Sequence, residues 1–162
     1  MTPVLECVPN FSEGRDPAVI RAIAETIGSV PGAKVLHIDP GHSANRTVVT
    51  FAGAPASVTE AAFRAIRRAG ELIDMTRHHG EHPRLGATDV CPLVPVSGIT
   101  LDEAAVLARG VEILAADEQR GARALVALER QARDHDQPRR RAGTEAAPPR
   151  IVGNVLGERD ES

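Results

Sequence analysis

Hydrophobic positions in the first two thirds of the chain switch between strand-like runs and helical spacing, and the switches predict the elements. Val4-Leu5-Glu6-Cys7-Val8 predicts a short first strand, closed by Pro9-Asn10. Asp16 followed by Pro17 supplies a capping side chain and a residue suited to the first helical turn. Ile20, Ile23, Ala24 and Ile27 then share one helical face, and Pro31-Gly32 stops the helix. Residues 34–39 predict a second strand ended by Pro40-Gly41, and residues 47–52 a third, β-branched one before Gly53. From Ala56 to about Ile73 the spacing is helical again, through Val58, Ala62, Ala65, Ile66 and Ala69. Residues 76–88 are polar, carry Gly80, Pro83 and Gly86, and predict a loop. Residues 89–96 predict a fourth strand, made an edge or irregular one by Pro92 and Pro95. Thr100-Leu101-Asp102-Glu103 is a capping box opening a further helix.

The order strand, helix, strand, strand, helix, strand is that of the split βαβ unit. The expected class is therefore α+β, a ferredoxin-like sandwich: a four-stranded, mostly antiparallel sheet with helices on one face. The third strand, around Val48-Val49-Thr50-Phe51, is apolar or neutral on both faces. Its second face is thus expected to be covered, by another copy or another subdomain.

Composition narrows the class. At 162 residues and 17.2 kDa, with 42% hydrophobic and 25% charged residues, the chain suits one ordinary globular domain. No apolar run reaches the length of a membrane span, and the start lacks a basic region followed by an apolar stretch. A net charge of -3 argues against general nucleic-acid binding, and 2% aromatic residues argue against base-stacking platforms. Cys7 and Cys91 are expected to be two buried reduced thiols rather than a disulfide or a metal pair, and a cytoplasmic address follows. Composition shifts near residue 117. Residues 117–162 hold nine of the eighteen Arg, including Arg139-Arg140-Arg141, balanced by nine acids. The expected organisation is one domain over 1–116 and a divergent, partly disordered Arg- and Ala-rich tail over 117–162.

Three loops carry candidate chemistry. The richest is Arg77-His78-His79-Gly80-Glu81-His82-Pro83-Arg84. Imidazole is the commonest general acid and base near neutral pH, and Pro83 biases His82 toward extended backbone. Guanidinium groups beside it suit an anionic substrate. Two plainer readings compete. One is a zinc site, poorly served because Gly80 and Pro83 break any helix that would align His78 with His82. The other is a solvated loop without chemistry. The second loop, Asp39 to Thr47, holds Asp39, which can orient an imidazole, and Arg46, which can hold a carboxylate; it also reads as an ordinary hairpin turn. The third, Pro9 to Arg15, is a Gly-containing binding loop or merely the approach to the Asp16 cap. It lacks the Gly-Lys-Ser signature of a phosphate-binding loop.

Four segments carry a family resemblance: Glu6 to Gly14 (ECVPNFSEG), Asn45-Arg46-Thr47, Ile73-Asp74-Met75, and Gly80 to Pro92 (GEHPRLGATDVCP). Together, over residues 1 to about 115, they resemble the N-terminal subdomain of the formiminotransferase (glutamate formimidoyltransferase) family. The resemblance implies a ferredoxin-like subdomain and transfer of a formimino group from N-formimino-L-glutamate to tetrahydrofolate, in histidine degradation and one-carbon metabolism. It implies His82 as the catalytic acid/base, with Asp39 and Arg46 at matching positions that support the site. Asn10, Glu81 and Arg84, in the same motifs, are assigned to substrate binding. Tetrahydrofolate is then a co-substrate, and no metal is expected.

One departure from the family is large. Family members have a second subdomain of similar size, with folate between the two, and past about residue 115 this chain follows Arg120 to Gln131 where the family places a strand. The departure predicts a truncated or frameshifted member, or a naturally short one, checked by translating the alternative frames past codon 115. It also predicts a homodimer or a partner chain supplying the missing half. The alternative function is a non-catalytic interaction or folate-binding module that keeps only the fold.

Overall fold

The computed structural model describes residues 2–81 and 85–117. The tail expected over 117–162 lies outside the described residues except for Asp117. In chain order the elements are β1 (Val4–Cys7), β2 (Asn10–Phe11), α1 (Pro17–Gly28), β3 (Ala33–Gly41), β4 (Arg46–Gly53), α2 (Pro55–Leu72), β5 (Thr88–Val90) and β6 (Leu93–Ser97). A third helix, α3, occupies 101–117 of the described chain.

The architecture is α+β, with one antiparallel sheet. Among the described residues it has six strands where the sequence predicts four. The physical reason is proline. Pro9 and Pro92 have no N–H to give a ladder, so the first expected strand continues past Pro9 as β2, and the fourth is divided into β5 and β6 around Cys91-Pro92. β4 is central: it pairs with β3 on one side and with both β1 and β2 on the other. β6 pairs with β1, and β5 with β2, completing the sheet beyond them. The breaks are bridged by main-chain bonds, from the Val49 N–H to the Pro9 carbonyl at 3.1 Å and from the Val8 N–H to the Pro92 carbonyl at 3.3 Å.

The pleat sends alternate side chains to opposite faces. Leu5, Cys7, Thr47, Val49 and Phe51 are buried on one face, under α1 and α2. α1 starts as its sequence demands: Asp16 Oδ1 accepts the Ala18 N–H at 2.8 Å, with Pro17 beginning the helix. It buries Ile23, Ala24 and Ile27. α2 buries Val58 and the alanines 61, 62, 65 and 69, a row of small side chains that lets the helix lie close to its neighbours. α3 adds Ala104 and Val111 to the same core. On the opposite face Val48 and Thr50 are half-buried, while Val94 and Val96 are 40% and 60% exposed. No helix among the described residues is long and apolar enough to cross a membrane.

Candidate active site

The site is built on the sheet face turned away from the helices. Residues opposite one another in an antiparallel ladder share a face. Asp39 stands opposite Val48, and Asn10 stands opposite Val48 on its other side and Val90 beyond. Asp39 and Asn10 thus flank Val48 in one row, about 10 Å apart by strand spacing. Arg46 lies two residues before Val48, on the same face and about 7 Å along the strand. Asp39 is exposed, Asn10 is half-buried, and Arg46 has its Nε buried. Three of the six expected site residues are therefore gathered at one end of this face. Glu81 is exposed at the edge of the described loop, and His82 and Arg84 lie outside the described residues.

The three loops read separately from the sequence converge at that end. Asn45 is the joint. Its backbone is left-handed, with φ of 48°, and its side chain is buried. Its Oδ1 accepts the Gly14 N–H at 2.9 Å, and its Nδ2 donates to the His79 carbonyl at 3.1 Å. Only that orientation of the amide satisfies both partners. One side chain thus ties the 9–15 loop to the 77–81 loop from the tip of the β3–β4 hairpin. The close approach demands glycine at position 14: a Cβ there would lie 2.5 Å from both the Arg46 nitrogen and the Gly41 oxygen.

Further bonds anchor the far side of the His82 segment. Ser12 Oγ donates to the Gly86 carbonyl at 2.8 Å, and the Ser12 N–H to the Ala87 carbonyl at 2.9 Å. Asp89 Oδ1 accepts the Leu85 N–H at 2.8 Å, closing the turn that follows. Thr47 Oγ1 donates to the Glu13 carbonyl, and Arg15 Nε to the His42 carbonyl at 3.1 Å. At the loop's entry Asp74 Oδ1 accepts from the Thr76 hydroxyl at 2.6 Å and the Thr76 N–H at 3.0 Å. Those donors hold the Asp74 carboxyl below its ordinary range. Among the described residues no group of three His, Cys, Asp or Glu side chains is placed to hold a metal ion. Sequence reasoning missed Asn45, Ser12 and Asp89 as individual positioning residues. The signal available was their place inside the motif segments, since polar residues at loop ends often serve main-chain groups.

The model of the formiminotransferase domain, N-terminal subdomain, matches residues 4–142. The chain belongs to the formiminotransferase family. A formimidoyltransferase-cyclodeaminase of Sus scrofa is 56% identical over 103 residues, 64% of this chain and 19% of that protein. One of Dictyostelium discoideum is 55% identical over 103 residues, again 64% of this chain and 19% of its own length. A glutamate formimidoyltransferase of Streptococcus pyogenes serotype M1 is 49% identical over 111 residues, covering 68% of this chain and 37% of that enzyme. This formiminotransferase subdomain therefore spans well under half the length of these relatives. Within it, all three loops that meet at Asn45 fall inside the matched residues.

Proposed function

We propose that this subdomain takes part in formimino transfer from N-formimino-L-glutamate to N5 of tetrahydrofolate. The observation that carries the reading is the convergence of the 9–15, 41–47, 77–81 and 85–89 segments near Asn45 at one end of this sheet face, beside Asp39, Asn10 and Arg46. The chain's membership in a family whose relatives are named as formimidoyltransferases supports it. The sheet order β5/β6, β1/β2, β4, β3 also suits a ferredoxin-like reading, each broken strand taken as one.

The chemistry asks little of the protein beyond placement and proton transfer. The folate nitrogen attacks the amidine-like carbon of the donor and a tetrahedral intermediate forms. A base takes the proton of the attacking nitrogen, and an acid delivers one to the departing glutamate amine. In this reading His82 does both. Asp39 holds the ring and favours its charged form. Arg46 and Arg84 pair with substrate carboxylates, while Asn10 and Glu81 line the donor site. The two substrates are small molecules; neither nucleic acid nor membrane enters the reading. A partner chain or second copy covers the open face and completes the folate site.

The test is an assay of the purified chain with formiminoglutamate and tetrahydrofolate, alone and with a second-subdomain polypeptide from a longer relative. Turnover is expected, falling by about 10²–10⁴-fold in His82→Ala. No turnover in either arm from protein with native circular dichroism would overturn the catalytic reading. Retained folate binding in that event would favour the binding module, the reading that the short span relative to the matched enzymes supports.

A further inference from the structure

Cys7 and Cys91 are 84 residues apart in sequence, yet their Sγ atoms lie 3.5 Å apart. Both are free thiols, Cys7 fully buried on β1 and Cys91 half-buried between β5 and β6. The approach has a structural cause. β1 and β6 are in register with Cys7 opposite Leu93, and the Val8 N–H reaches the Pro92 carbonyl at 3.3 Å. The break that Pro92 imposes therefore turns Cys91 toward the strand that carries Cys7.

We propose that Cys7 and Cys91 are a dithiol that hydrogen peroxide converts to an intramolecular disulfide in the folded protein. The sulfurs are already in contact, and closing to a bond of about 2.05 Å needs a further approach of about 1.5 Å, within reach of a side-chain rotation at half-buried Cys91. Exposure and proton sharing assign the roles. Cys91 is the less buried of the two, and the sulfur–sulfur contact holds its thiol below the ordinary value, while the same contact, with burial, pushes Cys7 up. In the first step the Cys91 thiolate attacks a peroxide oxygen, the O–O bond breaks, and hydroxide leaves and is protonated to water. Cys91 becomes a sulfenic acid: sulfur is oxidised and peroxide reduced. In the second step the Cys7 sulfur attacks the Cys91 sulfur, the S–O bond breaks, and hydroxide departs with the Cys7 proton as a second water. The bond fastens β1 to the β5–β6 junction, directly after the segment that leaves the 77–89 loop.

The full chain, treated with hydrogen peroxide under native conditions, alkylated without reduction and digested, tests this. The expected result is a single linked species joining the Cys7 and Cys91 peptides, lighter than the unlinked pair by two hydrogen atoms and reversed by dithiothreitol. In concentrated urea the intramolecular link forms at least about tenfold more slowly, because the fold no longer supplies the proximity. Cys7→Ser leaves Cys91 as a dimedone-reactive sulfenic acid, which accumulates only when its resolving partner is absent. Wild-type protein that instead carries sulfinic Cys91 beside an alkylated Cys7, or links only between chains, overturns the proposal. So does an equal rate of linkage in urea.

Discussion

Asn45 holds a backbone conformation that few side chains tolerate and spends its amide on two main-chain partners. Asn45→Ala leaves the buried Gly14 N–H without its acceptor and leaves at φ 48° a residue less suited than asparagine to the left-handed region. The expected loss is about 2–4 kcal/mol in urea unfolding. Asn45→Gly removes the same bonds but accepts the backbone, so it loses about 1 kcal/mol less than alanine; equal losses would show that the backbone conformation costs nothing. Asp39 is the opposite case. It is exposed, so Asp39→Asn is expected to stay within about 0.5 kcal/mol of wild type in stability. In the proposed reaction it slows transfer by about tenfold or more, and a drop in stability without a drop in rate would remove it from the site. The sequence shows such residues unevenly. Asp16 and Glu103 can be read because their partners lie two or three residues away. Asn45, bonded across 31 and 34 residues, cannot, since nothing local distinguishes it from a turn asparagine.

At the scale of elements, α3 has the capping box that its sequence spells. Thr100 N–H and Oγ1 both donate to Glu103 Oε2 at 2.8 Å, and the Glu103 N–H returns to Thr100 Oγ1 at 3.3 Å. Those donors hold the Glu103 carboxyl below its ordinary value. A carboxyl lowered in the folded state adds stability that is present above its unfolded value and is lost as pH falls through the folded one. Thr100→Ala is thus expected to lower the thermal midpoint by roughly 2–5 °C near neutral pH, and by less at pH 3. A deficit that stays constant down to pH 3 would disconnect the cap from the carboxylate. Helices and long strands were legible because their periodicity extends over many residues. β2 was not: two residues after a proline carry no period, and only pairing with Val48 and Thr47 makes Asn10–Phe11 a strand. The division of the fourth strand was half legible, since Pro92 marked irregularity but not the turn of Cys91 toward Cys7.

At the scale of the whole sheet, one face is packed under the helices, and the other, among the described residues, is half-buried to exposed. Phe51, fully buried on the central strand, is expected to cost about 3–5 kcal/mol as Phe51→Ala, read from the urea midpoint. The face that bears Asp39, Asn10 and Arg46 holds exposed and half-buried side chains, with the core on the opposite face, so exposed Asp39 can change without disturbing the packing. The α+β class, the helix faces and the buried strand face follow from pattern because burial imposes pattern. The meeting of the loops does not, because hydrogen bonds between distant backbone groups leave no spacing to read.

Most of the ties among these loops end on peptide groups: the amide of Gly14 and the carbonyls of His79, Gly86, Glu13 and His42. The architecture of the rim is thereby uncoupled from the identity of several side chains that ornament it. A chain built this way can exchange His79 or His42, and with them the charge met by an arriving molecule, while Asn45, Ser12 and Thr47 keep the same scaffold underneath.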